Sequence, residues 1–191
     1  MKKLFIIPGF KQQATEKSYA WLREVAAKSN YVAIPVPITW NRHTISQNTH
    51  EFVAFYLKHK GERNQILGFS YGAVIAFLSA PTTNPNHLHL CSLSPDFEED
   101  REKMPLDIQH YIGKRRYSDI LTRNAKDIAK KITTPTTIYY GSTEATLFPQ
   151  LRNRSKETAK DLRAKLVEIE GAPHQINHPE YKKAVLGNLE L

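Results

Sequence analysis

Gln65-Ile66-Leu67-Gly68-Phe69-Ser70-Tyr71-Gly72 opens as an apolar run and is followed by Ala73-Val74-Ile75-Ala76-Phe77-Leu78-Ser79-Ala80. The first part is too short for a helix and too apolar for a solvent-facing strand, so it reads as a buried strand. The second part carries small residues at Gly72, Ala76 and Ala80, one stripe of a helix able to press closely against a sheet. Between them stands Gly68-Phe69-Ser70-Tyr71-Gly72, a G-x-S-x-G pattern at a strand-to-helix junction. A serine held on so sharp a turn has a strained backbone that lifts its hydroxyl clear of the sheet. The residues two before and two after then crowd each other, and both are glycine here. The plainer alternative is a β–α turn whose serine only caps the helix.

The same alternation extends in both directions. Apolar runs at 4–7, 31–38, 88–93, 136–140 and 165–169 read as further strands. Helical patterns fall at 14–28, 49–58 and 72–80 (stopped by Pro81), within 147–161, and from about Pro179. Pro35 and Pro37 place the 31–38 strand at an edge or give it a ragged end. Repeated strand–helix–strand units predict a parallel sheet covered by helices on both faces, a three-layer α/β/α sandwich. Residues 96–131 break the rhythm; they are charged, with Ile108, Ile112, Ile120, Leu121 and Ile128 at helical positions. They read as a helical, cap-like insertion within one domain spanning 1–191.

Composition narrows the class. The 191 residues are 40% hydrophobic and 24% charged, ordinary for a globular protein and enough to bury roughly 70% of the unfolded surface. One cysteine, Cys91, forbids an internal disulfide and any site needing several thiolates. The apolar start at residues 4–7 ends at Pro8, short of a secretory core, and no run reaches membrane-spanning length. A cytoplasmic protein without a membrane span is the expectation. Lys plus Arg number 27 against 19 Asp plus Glu, a net charge of +8. That excess invites a nucleic-acid reading. Yet within 96–131 nine basic residues meet eight acidic ones, a net of +1, and no basic groove interleaved with aromatics stands out. No nucleic-acid partner is expected.

Ligands of open α/β sheets bind outside the carboxyl ends of the strands, so chemistry is sought at strand exits. Ser70 needs a base, and His174 follows the last strand in Gly171-Ala172-Pro173-His174. His178 lies four residues on, but no nearby carboxylate completes a metal site and Pro179 interrupts a helix there, so no metal is expected. The base needs an orienting carboxylate. Glu144, three residues past Gly141, is the first choice; Asp96, after Ser94-Pro95, is the alternative. Backbone donors for a developing oxyanion are expected from the N–H of Tyr71, at the helix start, and of Phe10, after Pro8-Gly9.

Together, Gly68-Phe69-Ser70-Tyr71-Gly72, the 141–144 turn and the 172–174 turn resemble the α/β-hydrolase superfamily, specifically its small members. The resemblance covers nearly the whole chain in element order, beginning at what is usually that fold's third strand. It implies a six-stranded parallel sheet in order 2-1-3-4-5-6. It also implies cofactor-free hydrolysis of a small-molecule acyl ester, thioester or amide through Ser70, His174 and Glu144. Two departures are Pro8-Gly9 where many relatives have His-Gly, and Glu where the acid is usually Asp. The alternative is a hydrolase-fold binding protein without activity. Lys114-Arg115-Arg116 reads either as an anion clamp over the site or as a solvated face, and Trp40 as pocket lining or packing. Oligomeric state is left open.

Overall fold

The computed structural model describes residues 1–189. Six strands, β1 (Lys2–Ile7), β2 (Tyr31–Pro35), β3 (Arg63–Phe69), β4 (His87–Cys91), β5 (Thr136–Gly141) and β6 (Lys165–Ile169), form one sheet. The order is β2-β1-β3-β4-β5-β6 and every pair is parallel. The helices are α1 (Lys17–Lys28), α2 (Ile45–His59), α3 (Tyr71–Thr83), α4 (Leu106–Ile112), α5 (Lys114–Ile120), α6 (Ala125–Ala129), α7 (Ser142–Leu147), α8 (Pro149–Leu162) and α9 (Pro179–Leu186). A 3-10 turn covers Glu98–Lys103.

Strand residues alternate between two cores because successive side chains leave opposite faces of a sheet. Leu4 and Ile6 point to one layer with Leu67, Phe69, Cys91 and Tyr139, where α1 and α9 supply Tyr19, Leu22, Tyr181 and Val185. Phe5 and Ile7 point to the other with Ile66, Leu88, Leu90 and Ile138, covered by α2, α3, α6 and α8. α3 is apolar all round and buried along most of its length, as a helix pressed between the sheet and α2 must be.

Three local expectations are corrected. β2 stops at Pro35, since Pro37 cannot donate to a ladder. β4 ends at Cys91 because Ser92 turns to φ 52°, breaking the extended backbone. α3 passes through Pro81 and closes at Asn84, whose left-handed conformation lets its N–H bond Ala80 O at 2.9 Å. Near a helix end Pro81 removes one backbone bond without ending the remaining turn. Among the described residues no helix is long and apolar enough to cross a membrane.

The chain reverses direction across the sheet at β1, flanked by β2 and β3, so a crevice opens beyond the ends of β1 and β3. Residues 96–131 become the 3-10 turn and α4–α6. They are tied down away from the sheet, with Ser46 donating its N–H and hydroxyl to Asp119 at 2.8 and 2.7 Å. Arg116 donates to the carbonyls of His43 (2.8 Å) and Trp40, and Arg115 to that of Arg42 (3.1 Å). These two arginines therefore stitch the inserted helices to the loop after β2. Trp40 donates its indole N–H to Gln12 O at 2.7 Å and packs edge-on against Phe10 and Tyr71.

Candidate active site

Ser70 sits between β3 and α3 at φ 56°, ψ −122°, a conformation side chains rarely tolerate. The turn closes so tightly that a Cβ on Gly68 would stand 2.3 Å from Gly72 O, and one on Gly72 would stand 2.4 Å from the Ile7 and Pro8 carbonyls. Both positions must be glycine for this backbone to exist. The Ser70 N–H is fixed to Cys91 O at 2.8 Å, anchoring the turn to β4.

His174 Nε2 lies 3.0 Å from Ser70 Oγ, and His174 Nδ1 lies 2.8 Å from Glu144 Oε2. A carboxylate only accepts, so Nδ1 carries the proton and Nε2 is free to take the hydroxyl's. The imidazole leans on the Phe69 ring, 4.9 Å between centroids, and its side chain is 37% exposed, whereas that of Glu144 is fully buried. The turns bearing the two residues are joined by Glu144 N–H to Ala172 O (3.3 Å) and Gly171 N–H to Ser142 Oγ (2.8 Å).

A buried carboxylate is costly unless its lone pairs are filled. Glu144 meets this with three donors besides proximity to a helix start. Gly141 N–H reaches Oε1 at 2.8 Å, Ser92 Oγ reaches the same oxygen at 2.8 Å, and His174 fills Oε2. Glu144 is the third residue of α7, where the helix dipole favours a negative charge. Ser92 in turn contacts the Tyr181 hydroxyl at 2.8 Å, carrying the network to α9. Sequence reasoning missed Ser92 and Tyr181. A serine ending an apolar strand and a tyrosine on an amphipathic helix carry no local mark of such a role.

The N–H groups of Tyr71, the first residue of α3, and of Phe10, just past β1, belong to residues at this end of the sheet. Neither is claimed by a protein acceptor among the described residues, since the 9–12 turn uses Gly9 N–H toward Tyr19 (2.9 Å) and Gln12 N–H toward Gly9 O (3.0 Å). Among the described residues no group of His, Cys, Asp and Glu is arranged to hold a metal.

Asp96 is brought to the same crevice but not to His174. A cavity of ≈ 250 Å³, about eight water volumes at ~30 Å³ each, opens in front of Ser70 and His174. Phe10, Tyr71, Met104, Ile108, Tyr111, Ile112, Phe148 and Leu151 give it apolar walls. Asp96 lines it and is only 6% exposed. Burial first, then the neighbouring Asp100 charge, pushes its carboxyl up to about 7. The folded protein thus binds this proton more tightly than the unfolded chain. Stability falls as pH rises from about 4 to about 7, and the full cost, up to about 4 kcal/mol, stands above that range. In denaturant titrations across pH, Asp96→Asn is expected to gain little over the wild type at pH ~4 and several kcal/mol at pH ~8. A difference independent of pH contradicts this.

Comparison with known proteins decides the family. The serine hydrolase (FSH1) family matches residues 3–178, most of the chain. The chain belongs to the FSH1 serine hydrolase family. No curated protein matches this member. Among solved structures, this chain is similar to Est1E from Butyrivibrio proteoclasticus with ferulic acid bound. The TM-score is 0.78 at 18% identity, over 98% of this chain and 86% of that one. It is also similar to dienelactone hydrolase from Anabaena variabilis (0.71, 13%, covering 98% and 83%) and to MenH from S. aureus (0.69, 17%, covering 99% and 93%). At these identities the likeness carries the fold, which is that of the α/β hydrolases, and the family membership carries hydrolase activity.

Proposed function

We propose that this family member hydrolyses small carboxylic esters or thioesters through an acyl-enzyme on Ser70. The observation that carries the reading is the unbroken line of contacts Ser70 Oγ–His174 Nε2–His174 Nδ1–Glu144 Oε2, at 3.0 and 2.8 Å. Nε2 takes the hydroxyl proton as Oγ attacks the carbonyl carbon. The N–H groups of Tyr71 and Phe10 receive the oxyanion. Glu144 holds the ring in its Nδ1–H form and offsets the charge it gains. The proton then passes from Nε2 to the leaving oxygen or sulfur. Water, activated by the same nitrogen, releases the acid and restores Ser70.

Residues 96–131 form a cap over the strand exits in this reading, with Met104, Ile108 and Ile112 closing the apolar side of the cavity. That lining favours an uncharged acyl or alcohol portion. The substrate is a small molecule and the reaction calls on no cofactor. The test is steady-state hydrolysis of short 4-nitrophenyl esters by the purified protein. Turnover well above the buffer rate is expected, and a folded protein that releases no acid from any of them contradicts the reading.

A further inference from the structure

The cavity in front of Ser70 is walled largely by apolar side chains, and besides Ser94 and Gln150 its polar lining away from Ser70 and His174 includes two carboxylates. Asp96 and Asp100 both line it, yet they differ in their partners. Arg154 saturates Asp100, with Nε at 2.9 Å from Oδ2 and a terminal nitrogen at 2.6 Å from Oδ1; the pair is itself buried. The Asp96 carboxyl, more than nine-tenths buried, receives no hydrogen bond and no cation among the described residues. The adjacent Phe97 supplies packing at this corner, against Phe77 and Arg154. An unpaired buried carboxyl costs stability, and a ligand that supplies the missing donor recovers part of that cost.

We propose that Asp96 is a specificity-determining residue that accepts a hydrogen bond from a hydroxyl group carried on the otherwise apolar part of the substrate filling this cavity. The inference rests on the hydrolase reading of the same site and deepens it by naming the substrate class: small esters or thioesters with an apolar body and one distal donor. At pH 8 the group is mostly an ionised acceptor, because burial and Asp100 hold its titration near 7. A substrate ending in a methyl leaves that carboxylate dry and unpaired. Sites built for a hydroxyl reject the analogue lacking it far more strongly than apolar pockets reject an extra methylene. A substrate ending in a carboxylate meets like charge and is rejected further.

The experiment compares kcat/KM at pH 8 for esters of matched length ending in a methyl, a hydroxyl or a carboxylate. The variable end is placed on the acid in one series and on the alcohol in the other. At some length in one series the hydroxyl ester is expected to exceed its methyl isostere by about tenfold or more, as a hydrogen bond to a charged group allows. The carboxylate ester is expected to be the poorest. Asp96→Leu should invert the hydroxyl-to-methyl ratio, while Asp96→Asn, which still accepts a hydrogen bond, should relieve the discrimination against the carboxylate. The wild-type series stands alone if either variant fails to fold. If a fluorophosphonate still labels Ser70 but methyl esters match or exceed hydroxyl esters at every length in both series, the role of Asp96 is overturned and the hydrolase reading survives. If Ser70 takes no label and no ester turns over, both fall together.

Discussion

Replacing Ser70 by alanine is expected to lower kcat/KM for small esters by a factor on the order of 10⁴–10⁶, with the unfolding transition little changed. The size follows from the covalent step. Without Oγ there is no atom for the acyl group, and His174 retains only the weaker option of activating water across the vacated space. The fold is spared because the turn is held by backbone contacts, the Gly68–Gly72 approach and the Ser70 N–H to Cys91 O bond, which alanine keeps. The substitution also keeps the positive φ that a β-carbon already tolerates at this position. Retention of more than about a tenth of the activity would mean that another group attacks the carbonyl.

Glu144→Gln is expected to lower kcat by about 10³–10⁴-fold with a much smaller change in KM. The exchange preserves shape and removes charge. A carboxamide can present its NH₂ to Nδ1, which moves the ring proton to Nε2 and faces Ser70 with a donor where a base is required. It also leaves the imidazolium formed during attack without a counter-charge. Glu144→Asp keeps the charge but falls one methylene short of a histidine now held at 2.8 Å, so an intermediate loss is expected. Equal rates for Gln and Asp variants in pre-steady-state and steady-state assays would show that the carboxylate acts only as packing.

The two periodicities explain why so much of this was legible. Leu4-Phe5-Ile6-Ile7 and the 65–69 run carry the apolar continuity of strands covered on both sides, and the sheet is built from them in the order expected of the resemblance. Ser70, Glu144 and His174 each stand just past a strand end, so a reading confined to strand exits could name them separately. The structure brings them together because the ends of β3, β5 and β6 share one edge of a parallel sheet. What local pattern cannot encode is lateral contact across that edge. Ser92 meets Glu144 across 52 residues of sequence and Tyr181 meets Ser92 across 89, and neither sequence neighbourhood differs from ordinary core. The same holds for Arg115 and Arg116. Their run of charge reads as an anion clamp or a solvated face, whereas their partners include backbone carbonyls of the loop after β2. Asp96 shows the converse: its position after β4 singles it out, but among the described residues it is Glu144 and not Asp96 that contacts His174, which only the folded chain reveals.

The most direct measurement is rapid-quench mass spectrometry of the protein during turnover of a slow ester, with the modified peptide sequenced. The account predicts one acyl group per chain, carried on the peptide containing Ser70, formed before the steady state and lost on hydrolysis. Turnover with an unmodified Ser70 peptide, or an acyl group carried on another residue, contradicts it.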